Sequence, residues 1–303
     1  MVINPRISLL KFIFVLIFLS GFFIFDKGHA QLLCSNYTNA DGTITYTDDS
    51  SGASTACNLT PDSMTIILHF IGLCTSEPTI ANFRTACSSL FSSSTGESKK
   101  ITTTSSANLM NDVTITEGNY THAAILIKNN IGFSVKKKFS PARSGKTGTG
   151  EWCWTLDGET TTVNTNLAQR STWIAECGAD EPTTIGTHTA NQNAVFSTAS
   201  GNRFDNYETG TTASTTWSVY LLKADETINT GTPGNYGSFG TASYFLGIQK
   251  FNTAVSITPK TSNLDVGFRL EDTFSMETTK NGGTHYIPRY GLGGFEFKVL
   301  ASE

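Results

Sequence analysis

Along most of this chain apolar and polar residues alternate with a period of two, the spacing that places successive side chains on opposite faces of a β-strand. In residues 63–73, Met64, Ile66, Leu68 and Phe70 alternate with Thr65, Ile67 and His69. Apolar side chains on both faces predict a central strand there. Near the end of the chain Leu264, Val266, Phe268 and Leu270 mark one face of a strand. Phe295, Phe297 and Val299, set against Glu296 and Lys298, mark another. Further strands are expected through Ala123, Ile125 and Ile127, and over residues 133–139, 215–222, 243–249 and 254–258. Turn signals separate them: Asn39-Ala40-Asp41-Gly42, Gly118, and Asn129-Asn130-Ile131-Gly132. Residues 82–90 fit one short helical turn around Cys87, and residues 92–106, mostly Ser, Thr and Lys, fit a loop or an edge strand. No internal repeat and no longer helix is expected.

This pattern predicts an all-β protein built as two antiparallel β-sandwich lobes, Ig-like or jelly-roll-like, spanning residues 31–140 and 151–303. The segment between them, residues 141–150, reads Pro-Ala-Arg-Ser-Gly-Lys-Thr-Gly-Thr-Gly. It has no periodicity and a high glycine density, as a linker or loop should. Its Gly145-Lys146-Thr147 resembles the end of a phosphate-binding loop, but the upstream glycine is missing and no helix follows.

The first thirty residues break the alternation. Arg6 and Lys11 precede an apolar run over residues 12–25, followed by Asp26-Lys27-Gly28-His29-Ala30. A basic start, a short apolar stretch and small residues at the exit predict a signal peptide over residues 1–30, with the mature chain starting at Gln31. A spanning helix needs about 20 apolar residues, more than this run supplies. Leu33 before Cys34 does not fit a lipoprotein. Gly21-Phe22 with Asp26 resembles a type IV prepilin junction, but here the apolar stretch precedes the junction instead of following it. A membrane contact is therefore expected only through an uncleaved signal segment.

The cysteines agree with export. Cys34, Cys57, Cys74, Cys87, Cys153 and Cys177 all lie beyond the signal. An even count in an exported chain predicts structural disulfides, with sequence neighbours paired in the simplest arrangement. No pair has the spacing of zinc ligands. The expected location is secreted, periplasmic or cell-surface.

Composition narrows the function classes. The net charge is −4 with pI near 5.8, and 15% of residues are charged. This disfavours a nucleic-acid partner, which calls for a basic stripe. The one dense basic run, Lys136-Lys137-Lys138, follows a strand and reads as its solvated end. Threonine is the unusual component, with 46 residues against 27 glycines. Being β-branched, it suits strands and supplies a neutral polar surface.

Candidate chemistry is sparse. His69, His122, His188 and His285 fall in no metal-binding pattern, and no Gly-x-Ser-x-Gly elbow occurs. No catalytic residue, metal ligand or cofactor is assigned. Asn39, Asp41, Asp48 and Asp49 gather oxygens near one hairpin without an EF-hand pattern. Asn36, Asn58 and Asn119 begin Asn-x-Thr sequons, which accept glycans only in a eukaryotic host. Glu151, Asp157, Glu159, Glu176, Glu271 and Asp272 leave a glycan hydrolase as one alternative. The stronger hint is aromatic: Trp152 and Trp154 share one strand face while Cys153 points the other way. Paired aromatics on a β-face stack on sugar rings, so a carbohydrate-binding protein is the other alternative. The expectation that fits most features is a non-catalytic structural or adhesive protein of the matrix, adhesin or appendage-subunit type. Self-association, through the terminal strand among other routes, or surface glycans would be its partners.

Overall fold

The structure is a computed structural model that describes residues 32–46, 54–102, 115–160, 170–171, 173–193, 205–211, 215–261, 263–281, 283–292 and 296–302. The expected signal, residues 1–30, lies outside the described residues. In chain order the strands are β1 (Leu32–Leu33), β2 (Ser54–Leu59), β3 (Ser63–Cys74), β4 (Cys87–Thr102), β5 (Gly118–Lys128), β6 (Ile131–Ser134) and β7 (Lys136–Ser144). Then come β8 (Thr149–Thr155), β9 (Gly158–Thr160), β10 (Ala175–Gly178), β11 (His188–Ala190), β12 (Tyr207–Thr211), β13 (Thr215–Leu222) and β14 (Tyr244–Ile257). The last are β15 (Asn263–Arg269), β16 (Phe274–Asn281), β17 (Thr284–Leu292) and β18 (Glu296–Ser302). One short helix, α1 (Phe83–Ala86), precedes β4. The all-β expectation holds.

Seven strands form one sheet in the order β1-β2-β16-β17-β7-β8-β10. Nine form a second, running β12-β13-β14-β5-β3-β6-β11-β9, with β4 on the far side of β3. β15 and β18 pair with each other as a separate ribbon.

Strand pairing does not follow the expected division at residues 141–150. β2 pairs with β16, β5 with β14 and β6 with β11, so both large sheets take strands from each side of that segment. Residues 141–150 are themselves the end of β7, a tight turn and the start of β8, which pair antiparallel. The glycine density that reads as a linker has a packing cause. A Cβ on Gly145 would stand 2.5 Å from the Cys177 nitrogen, one on Gly148 2.2 Å from the Cys177 oxygen, and one on Gly150 1.9 Å from the Gly178 carbonyl carbon. The hairpin tip presses backbone to backbone on β10, and only glycine permits that approach.

Side chains from all three sheets meet in one core. Met64, Ile66, Leu68 and Phe133 of the large sheet join Cys57, Phe139, Phe274 and Met276 of the seven-stranded sheet and Leu264, Val266 and Phe268 of the ribbon. The Phe133 and Phe274 rings, one from each large sheet, lie 4.1 Å apart edge to face. The alternation read from residues 63–73 and 264–270 therefore does mark core-facing strands. Residues 133–139, read as one strand, are two. The chain leaves the nine-stranded sheet at Val135, which is fully buried and exchanges hydrogen bonds with Thr155 through its backbone N–H and C=O. Conversely, residues 243–249 and 254–258 belong to the single strand β14, with a bulge between Lys250 and Val255.

A second apolar cluster covers the outer face of the nine-stranded sheet, around Phe70, Leu126, Leu222 and Leu246. The loop between β3 and β4 folds over it. Cys74–Cys87 closes that loop, and Phe83 of α1 sits 2% exposed with its ring 5.4 Å from Phe70. Arg84 reaches across to Glu226 with two hydrogen bonds, of 2.9 and 2.6 Å.

Candidate functional site

Three disulfides join Cys34 to Cys57, Cys74 to Cys87 and Cys153 to Cys177, each cysteine to its sequence neighbour. In the last two the partners stand directly opposite in antiparallel strands, with Cα atoms 4.2 and 4.1 Å apart. That is close to the spacing of a non-hydrogen-bonded antiparallel pair, the position where two Cβ atoms approach most closely.

Cys153 of β8 points into the core, so its neighbours Trp152 and Trp154 point out, both half-buried. β7 and β10 flank β8, and register sets what surrounds each indole. Trp154 stands between Lys136 and Glu176, and Trp152 between Lys138 and Gly178. Gly178 makes room for Trp154. Its Cη2 and Cζ3 lie 3.2 and 3.5 Å from where a Cβ at 178 would be, so the indole leans across β10. Lys138 pairs with Glu151 at 3.4 Å and Lys136 with Glu181 at 2.5 Å. The two expected stacking residues thus do share an outward face, edged by lysine stems.

Glu176 anchors the same corner. Its carboxylate accepts hydrogen bonds from the Thr147 N–H and hydroxyl, the Gly148 N–H and the Cys177 N–H. Burial works to raise its pKa, but these donors together outweigh that and hold it below the usual range. In the Gly145-Lys146-Thr147 turn, whose amides a phosphate would need, the Gly145 and Lys146 N–H groups donate to the Gly148 and Ala175 carbonyls and the Thr147 N–H donates to this carboxylate.

The other candidate residues are dispersed. His69 on β3, His122 on β5 and His188 on β11 are all buried, and burial lowers the pKa of each, to about 4 for His188. His188 packs beside Phe133 of the core, whereas His69 lies against Tyr244 on the outer face of the nine-stranded sheet. Asp157 accepts the Thr187 N–H at 2.8 Å, and Glu271 and Asp272 occupy the turn between β15 and β16. The Glu159 side chain lies outside the described residues. Asp41 accepts the Thr43 N–H, which lowers its pKa, while Asp48 and Asp49 fall outside the described residues. Among the described residues no group of three His, Cys, Asp or Glu stands close enough to hold a metal ion. Asn36 and Asn119 are exposed and Asn58 is 5% exposed, so only the first two sequons are open to a modifying enzyme.

Sequence reasoning missed two charged residues in particular. Arg143, within the segment read as a linker, is fully buried; its Nη2 donates to the Tyr46 carbonyl, and desolvation lowers its pKa to about 10. Glu208 lies on β12 opposite Val219, which packs on the core, and burial raises its pKa to about 7. No local sequence signal marks either; both depend on which strands become neighbours.

Fold and site together define an all-β protein stapled by three disulfides, the kind of framework an oxidising compartment forms and maintains. No family model, curated protein or solved structure matches the chain.

Proposed function

We propose that this is an exported, non-catalytic protein that works at the cell surface or in the surrounding matrix as a structural or adhesive component. The observation that carries the reading is the covalent one: each disulfide locks a local strand or turn, two of them across directly paired strands. Such staples restrict the unfolded chain and persist in an oxidising compartment. The separate β15–β18 ribbon supports self-association, because a strand edge is a template for another chain. The test is retention. Antibody against the mature chain should find it on intact producing cells or in their matrix, and purified chain should self-associate as concentration rises. Free release into the medium as a monomer would contradict the reading.

A second reading, a carbohydrate-binding protein, is favoured by one feature: Trp154 leaning over Gly178 beside Trp152 on an outward face. Stacking of this kind contributes about 1 kcal/mol per aromatic ring. Trp152→Ala and Trp154→Ala should each weaken co-sedimentation with an insoluble polysaccharide such as cellulose or chitin. Equal sedimentation of both variants with wild type would remove this reading.

A further inference from the structure

An open cleft of about 530 Å³ lies between the β5–β6 turn, the loop after β11 and the start of β14. Lys128, Asn130, Asn191, Asn193, Ser243 and Tyr244 are among the residues that line it. Among the described lining residues there is no carboxylate and no histidine, and Lys128 carries the one charge. What it offers instead is a set of side-chain amides. An amide both donates and accepts in one plane, which matches a sugar hydroxyl, itself donor and acceptor.

The walls are fixed in place. Asn129, 5% exposed, donates through Nδ2 to the carbonyls of Gln192 and Ala242 and accepts the Gln192 N–H on Oδ1, at 2.9 Å. One side chain thus ties all three segments together. Asn229, fully buried, donates to the Asn193 and Gly240 carbonyls at 2.9 Å each, and Asn193 Oδ1 accepts the Ala242 N–H. Tyr244 is held edge-on to the buried His69, with ring centroids 5.0 Å apart. Two asparagines buried to brace three surface segments give a preorganised cleft, and preorganisation is what lets a small polar ligand bind without ordering its site. The volume falls within the range of small-molecule sites, about 300–1,000 Å³.

We infer that this cleft binds one or two residues of a neutral glycan. Asn130, which takes no part in the bracing, supplies the hydrogen-bonding amide, and Tyr244 supplies an aromatic face. The site is separate from the Trp152–Trp154 face and does not depend on it. A flat face gains affinity with chain length, whereas a cleft of this size saturates with short sugars.

The test uses the mature chain and a panel of glucose, galactose, mannose, N-acetylglucosamine and their β-linked disaccharides, followed by ligand-observed NMR and titration calorimetry. At least one of these should bind, Asn130→Ala should weaken it at least about tenfold, and Trp154→Ala should leave it unchanged. Should Asn130→Ala shift the thermal midpoint, Ser243→Leu, which puts a bulkier side chain at another lining position, decides by the same tenfold criterion. Absence of binding by every sugar in the panel, or binding insensitive to both cleft variants, overturns the inference. Loss of short-sugar binding in Trp154→Ala would move the site to the tryptophan face and overturn it as well.

Discussion

The buried His188 and the half-buried Glu208 oppose each other as pH changes. Burial holds the His188 imidazole neutral down to about pH 4, against an ordinary value of 6.5. Its contribution to stability is complete above pH 6.5 and is lost as pH falls through 4, because the unfolded chain takes up the proton first. Burial has the opposite consequence for Glu208, whose pKa rises from 4.5 to about 7. Its contribution is complete below pH 4.5 and is lost as pH rises through 7. Each shift corresponds to at most about 3 kcal/mol, and water on the half-exposed side of Glu208 reduces its share. The two largely cancel between pH 4.5 and 7. Glu208→Gln should therefore gain stability relative to wild type as pH rises over that window, and His188→Asn should lose it. Urea unfolding at pH 4.5 and 7 measures both. Two variants with the same pH dependence as wild type would show that neither group titrates as its burial requires.

Among the elements, the loop that covers the outer face of the nine-stranded sheet separates packing from charge. Phe83 is buried against Phe70 at the centre of that cluster, whereas the Arg84–Glu226 pair is about one-third exposed at each end. Phe83→Ala should cost about 3–4 kcal/mol and Arg84→Ala about 1 kcal/mol or less. Denaturant unfolding of the two variants tests that order; a larger loss from Arg84→Ala would mean the ion pair holds the loop down. This is also the scale at which the sequence is most readable. The period-two runs at 63–73, 215–222 and 264–270 became strands because side-chain alternation is a local property. The hairpin β16–β17 was overlooked, although Asn281-Gly282-Gly283 between two strand-forming runs is a turn signal and Gly283 has φ +82°. The linker reading of 141–150 failed for a different reason. Glycine marks both a flexible hinge and a close backbone approach, and only the position of β10 tells them apart.

For the whole molecule, long-range pairing decides the architecture. β2 lies beside β16, across more than half the chain, β5 lies beside the distant β14, and one core collects residues from all three sheets. Nothing in local periodicity encodes those partners, so a division at a glycine-rich segment was the natural but local inference. The disulfides were legible because neighbour pairing needs only short loops, with sequence separations of 23, 13 and 24. Each such loop is worth about 3 kcal/mol in the loop-entropy description. The tryptophan face was legible for the same local reason, while the asparagine cleft, built from three distant segments, was not.

Export, as proposed, would keep all six cysteines in disulfides outside the reducing cytosol. Intact-mass spectrometry of the chain isolated from its producing cells, with thiols alkylated at lysis, reads both the N-terminus and the state of the cysteines. The expected result is a chain beginning at Gln31, recovered from the surface or extracellular fraction, with none of its six cysteines alkylated. A chain retaining residues 1–30, found in the cytosol with its cysteines alkylated, would contradict it.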